Sequence, residues 1–174
     1  MHARLPAGEN MKNLKARAGP PSSLYELRPA QSPSDWGAYH AIRRDSIFAL
    51  LLPGQPYREN DTDEFKPGHM PHVLICAGEI VGTVRIDLID DVQAGLRLIG
   101  IRSGLQRQGH GAALLRLAER VAHDFGRSVV VINAHPTSVS FYLGNGYTPG
   151  EWRDAGPPHP DLIRVGKVLA DSAD

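Results

Sequence analysis

A single cysteine, Cys76, stands among 174 residues, so no disulfide can form within the chain. It sits in the apolar run HVLICAG and reads as a small core residue rather than a reactive thiol. No apolar stretch approaches the roughly 20 residues that span a bilayer. The first residues, MHARLPAGENMKNLKARAGPPSS, lack the apolar centre of a secretory signal. An excess of either charge is also missing, because 19 basic side chains balance 19 acidic ones. Without a positive excess, neither a nucleic-acid nor a membrane partner is expected. No metal site is expected either. Together these absences describe a cytoplasmic protein.

What is present suits one domain. Residues 1–23 have few apolar groups and several Gly, Pro, Lys and Arg, and read as a flexible tail. Residues 24–174 then form the domain. YELRPA reads as a first strand. Ser32 or Ser34 can cap a helix whose Trp36, Tyr39, Ile42 and Ile47 recur on one face. PGQPYRENDTDEFKPGHMP is mostly loop, with room for one short helix. In HVLICAGEIVGTVRIDLIDD, Ala77-Gly78-Glu79 separates two β-branched runs, a hairpin signal. Val84, Ile86 and Leu88 alternate with Thr83, Arg85 and Asp87, the period of a half-buried strand. AGLRLIGI is a further strand. Leu114, Leu117, Ala118 and Val121 mark a helix over 110–125 that Gly126 ends. SVVVIN is short and wholly apolar, as in a strand buried on both faces. HPTSVSFYLGNGY suits a short helix entered at Pro136. GEWRDAG and DLIRVGKVL can close the chain as an antiparallel pair. The order β-α-β-β-β-α-β-α-β-β predicts an α/β fold, a mixed sheet with helices on both faces. Its βαβ unit places function at the strand's carboxyl end, beside the helix N-terminus.

That helix opens on LQRQGHGAALL, with Gly109 and Gly111 where a helix must begin. Glycine costs a helix about 1 kcal/mol against alanine, so the pair needs a reason. The first helical turn leaves backbone N–H groups unpaired at the positive end of the dipole. An anion such as phosphate satisfies both, and glycine lets the backbone approach it closely. Arg102 and Arg107 add charge, as does His110 if protonated. The competing reading is a turn that merely needs positive φ. A Walker loop is excluded because no lysine follows, and the dinucleotide fingerprint is excluded because residue 114 is leucine.

QRQGHG, Gln106 to Gly111, resembles the Q/R-x-x-G-x-G/A signature of the GNAT superfamily of N-acetyltransferases, and like it follows a strand and opens a helix. SFYLGNGY, Ser140 to Tyr147, is similar to the superfamily's FYxxxGF segment, in the same order and spacing. The resemblance spans about residues 24–168, with looser similarity in IRRDSIF, ENDTDEF and VGTVRID, a pattern shared in part by acyl-homoserine lactone synthases. It implies a GNAT-like, mostly antiparallel sheet and acetyl-CoA as cosubstrate. It assigns the pyrophosphate to backbone N–H groups of Gln106, Arg107, Gln108, Gly109, His110, Gly111 and Ala112. The pantetheine arm would pair with Ile99 and Ile101 where this strand splays from the next. A backbone N–H at Ile101 or Arg102 would polarise the thioester carbonyl. Tyr142 matches the tyrosine that protonates the departing thiolate; the competing reading is a core aromatic. Asn133 is assigned either to the pantetheine amides or to capping the next helix.

The resemblance also has a gap. Many members carry a glutamate base on the fourth strand, where this sequence has Arg97. Asp87, His72, His135 or a water chain are the alternatives, and Glu151 and His159 are weaker acceptor-site candidates. The implied activity is acetyl transfer to a primary amine of a small molecule or peptide. A non-catalytic CoA-binding domain and a long-chain acyltransferase are the alternatives. An acidic cleft built from ENDTDE would favour a cationic acceptor such as a polyamine, although a charge run is usually a solvated face. Homodimers are common in the superfamily.

Overall fold

A computed structural model describes residues 19–154 and 159–170. The expected tail therefore lies outside the described residues, except for 19–23. Strand β1 (Tyr25–Pro29) leads into α1 (Pro33–Ile42). Of the two serines, Ser32 is the cap: its hydroxyl accepts from the Asp35 N–H, and the Asp35 side chain returns a bond to the Ser32 N–H. Without a break, α1 runs into wider π turns (Arg43–Phe48) and a last turn, α2 (Ala49–Leu51). Asp61 starts the one short 3-10 turn of the following loop, Thr62–Phe65.

Strands β2 (His69–Cys76) and β3 (Glu79–Leu88) form the expected hairpin, and Ala77 and Gly78 at its turn both take positive φ. Then come β4 (Gln93–Ile101), α3 (His110–Asp124) and β5 (Val129–Ala134). Helix α4 (Val139–Gly144) follows a short turn, and β6 (Thr148–Pro149) pairs with β7 (Ile163–Val168). This closing pair was expected to begin within GEWRDAG. Its first strand is instead two residues just upstream, because the Trp152 ring lies over Gly166 and its indole N–H bonds the Thr148 carbonyl.

The strands form a seven-stranded sheet in the order β1-β2-β3-β4-β5-β7-β6, antiparallel except for β4 and β5. Helix α3 lays Leu114, Leu115 and Ala118 on Leu74, Val84, Ile86 and Leu96. Each leucine so buried contributes roughly 1.5–3 kcal/mol. The opposite face of β3 was expected to meet solvent. There Thr83, Arg85 and Asp87 are buried as well, because α1, its π turns and the loop after them cover that side. The fit is close: a Cβ on Gly100 of β4 would stand 3.0 Å from Ile47.

Candidate active site

Parallel pairing of β4 with β5 covers only Gln93–Gly95 against Val129–Val131. Beyond Gly95 the two strands part: β4 stays on β3, and β5 continues on β7 alone. A cleft of about 570 Å³ opens there. Its lining includes Ile99, Asn133, Ser138 and Tyr142 together with Arg43, Tyr57 and Glu64. A bulge helps to shape the opening, since the β3–β4 register shifts between Thr83 and Arg85 and Leu98 takes φ 49°.

The register also aims the backbone. Arg102 donates its N–H to the Val81 carbonyl at 2.8 Å. That corrects one expectation, because this N–H is already spent. In an antiparallel ladder, residues alternate in the edge they face. Ile101, opposite Gly82, therefore turns its N–H away from β3, toward the opening. Ile99 has the same parity. The Ile101 carbonyl accepts from Gln106 Nε2 at 3.4 Å.

From Gln106 to Ala112, no backbone N–H donates to any described residue. This is an anion-ready terminus, with Ala113 the first N–H to close a helical bond, onto Gly109. The two glycines have different local reasons. Gly109 is left-handed at φ 89°, and a Cβ there would stand 2.8 Å from the Cα of Gly19. Gly111 faces the Phe141 ring, which its Cβ would meet at 3.0 Å. Arg107 is exposed beside them, and Gln108 reaches back to the Gly104 carbonyl. The Arg102 side chain lies by Ala38 and Asp45. The imidazole of His110 corrects a second expectation. It is buried, bonded to the Tyr25 hydroxyl at 2.8 Å, and held below its usual pKa by burial, so only its backbone N–H faces the loop.

Tyr142 is 7% exposed and lines the cleft, yet its hydroxyl bonds no described residue. Burial pushes its pKa up to about 12, so it keeps its proton at neutral pH. Asn133 is not the cap of the next helix, although it lines the cleft. Its amide donates to Asp154 and accepts from Arg164, while the turn after β5 is capped by His135. That cap also occupies the His135 imidazole, with Thr137.

The other base candidates fare no better. His72 is buried against the Met70 carbonyl, away from the cleft, and burial lowers its pKa. Asp87 is gripped by Arg85 through two bonds of 2.7 and 2.9 Å. Glu151 and His159 are exposed and outside the cleft lining. Sequence reasoning missed a buried network. Glu64 accepts from the Tyr39 hydroxyl (2.6 Å), Arg43 (2.7 Å) and Arg85 (3.0 Å). Desolvation alone would raise the Glu64 pKa; the two guanidiniums and the phenol outweigh it and hold the group below its usual range. On β4, Arg97 pairs with Asp154. A signal for this network existed, because IRRDSIF, ENDTDEF and VGTVRID supply Arg43, Glu64 and Arg85 in turn.

A splayed β4–β5 pair, a glycine-opened helix terminus and a tyrosine at their junction agree with what known proteins show. The family model described as Acetyltransferase (GNAT) family matches residues 23–147. The chain belongs to the GNAT acetyltransferase family. It is thus an acyl-CoA-dependent acetyltransferase, with acetyl-CoA as cosubstrate. Among curated proteins it is 29% identical over 110 residues to the N-acetyltransferase YjcF of Bacillus subtilis, across 61% of this chain and 77% of that one. Its fold is similar to a GNAT-family acetyltransferase of Staphylococcus aureus Mu50, with TM-score 0.69, 14% identity, and 84% and 99% of the two chains covered. A GNAT structure from Elizabethkingia anophelis with acetyl-CoA bound gives TM-score 0.59 at 17% identity, with the same coverage. Among the described residues no helix is long and apolar enough to cross a membrane, and no cluster of side chains suits a metal ion.

Proposed function

We propose that this GNAT enzyme transfers the acetyl group of acetyl-CoA to the primary amine of a small molecule, by direct attack on the thioester. The observation that carries the proposal is the Tyr142 hydroxyl, on a buried side chain that lines the cleft, protonated and without a hydrogen-bond partner among the described residues. The unspent N–H groups from Gln106 to Ala112 suit the pyrophosphate. The N–H of Ile101, facing the opening, suits the thioester oxygen, and a fixed donor of this kind is often worth a few kcal/mol. The amine nitrogen attacks the carbonyl carbon, the C–S bond breaks as the intermediate collapses, and Tyr142 gives its proton to the departing sulfur. The proton shed by the amine leaves by water and restores the phenol.

Of the carboxylates that line the cleft, Glu64 is bound by Arg43 and Arg85 and Asp63 by Lys66 and Arg85, while Asp61 is exposed and accepts only the Asp63 N–H. Arg97 on β4, where the resemblance implies a glutamate base, supports a second reading, a CoA-binding domain without catalysis. Tyr142→Phe separates the two. For the enzyme it lowers kcat by roughly a hundredfold or more, read as thiol release, while calorimetry gives an unchanged acetyl-CoA Kd. Equal loss of both would end the acid role; wild-type protein that binds acetyl-CoA but releases no thiol with any amine would favour the second reading.

A further inference from the structure

Besides the exposed Arg58, three arginines line the cleft: Arg43, Arg85 and Arg97. They form a row, since Arg43 and Arg85 share one oxygen of Glu64 and Arg85 lies directly across from Arg97 on the adjoining strand. Arg85 is saturated by Asp63, Glu64 and Asp87. The other two are not. Arg43 is 2% exposed, yet its Nε and Nη2 find no hydrogen-bond partner, and neither does Nη1 of Arg97. A buried guanidinium N–H without an acceptor is costly, and a carboxylate is the partner its geometry fits best. Three acids line the same cleft, and among the described residues only Asp61 has no ion-pair partner. Glu64 is held by Arg43 and Arg85, and Asp63 by Lys66 and Arg85. The cleft lining also includes the apolar Ile47, Phe48, Leu96 and Ile99.

We propose that the acceptor is an amine that also carries a carboxylate, an apolar amino acid in chemical class, and that Arg43 with Arg97 receives that carboxylate while the amine faces the thioester. This rests on the acetyl-transfer reading above. The apolar lining would take the side chain, and neutralising the carboxylate on the arginines would leave the amine as the reactive end.

The test uses the full chain and acetyl-CoA. Thiol release is measured with leucine, methionine and phenylalanine, with the amide of each, and with putrescine. Acids are expected to exceed their amides in kcat/KM by about tenfold or more, mainly through KM, with putrescine at the rate without acceptor. Arg43→Lys, which keeps the charge against Glu64 but loses the extra donors, should erase the acid–amide difference. Amides or putrescine turned over as well as the acids would overturn the proposal, as would no acid above the acceptor-free rate. Calorimetry with acetyl-CoA alone tells the two readings apart: binding without acid preference removes only this inference, and no binding removes both.

Discussion

Glu64 is the single side chain on which the covered face of the sheet depends. It is 3% exposed and holds two guanidiniums and a phenol. Replacing buried ion pairs wholesale with apolar groups is often harmless, but removing one partner strands the others. Glu64→Gln is therefore expected to cost about 3–5 kcal/mol in urea denaturation. A change near zero would mean that Arg43 and Arg85 are neutralised some other way. The three segments that meet here could be picked out in the sequence, but their meeting could not. Residues 43, 64 and 85 share no periodicity, and only the hairpin and the returning loop bring them within hydrogen-bond reach. The reading of ENDTDE as a solvated run failed for the same reason at Glu64, while Asp61 of the same run is exposed.

At the scale of the element, the entry to α3 was legible as a type and not in detail. Helix, strand and glycine pattern announced an anion site, and the N–H groups from Gln106 to Ala112 are unspent. The sequence could not say that the two glycines answer to different neighbours. Gly111 abuts Phe141 of α4, a contact across the fold. Gly111→Ala is expected to destabilise by about 1–3 kcal/mol through overpacking, and Phe141→Leu in the same chain should recover most of that loss. Thermal melts of the single and double variants check this. Stability restored with acetyl-CoA affinity still lost would show that Gly111 also serves the close approach of phosphate. The corrections to the Asn133 cap and the His110 ring share a cause. Both positions were placed correctly beside the site, but side-chain direction is settled by distant partners, Asp154 and Arg164 for one and Tyr25 for the other.

For the molecule as a whole, burial of imidazoles sets the response to acid. His40, His72 and His110 all sit below the usual histidine pKa because burial disfavours the charged ring. The unfolded chain then binds more protons than the folded one as pH falls through the histidine range, so stability rises with pH there and is lost on acidification. Depressed carboxylates act in the same direction but lower. Asp35, tied to Arg28 and to the cap of α1, keeps its contribution above the usual carboxylate pKa and loses it only in stronger acid. The urea midpoint is thus expected to be lower at pH 5.5 than at 7.5, with a second, steeper fall below about pH 4. Equal midpoints at the two upper values would contradict the burial of these rings.

The sequence by itself determined the order of elements, the hairpin at Ala77-Gly78, a serine cap at Ser32 or Ser34, the glycine-opened helix and the family, because each of these is written in residues close together along the chain. Tertiary structure alone decided the rest. It buried both faces of β3, parted β4 from β5 after three pairs, and shortened the last hairpin to Thr148–Pro149. It also turned the acidic loop inward to neutralise arginines. Such outcomes depend on which surfaces pack together and which charges meet once water is excluded, and neither is encoded in local periodicity.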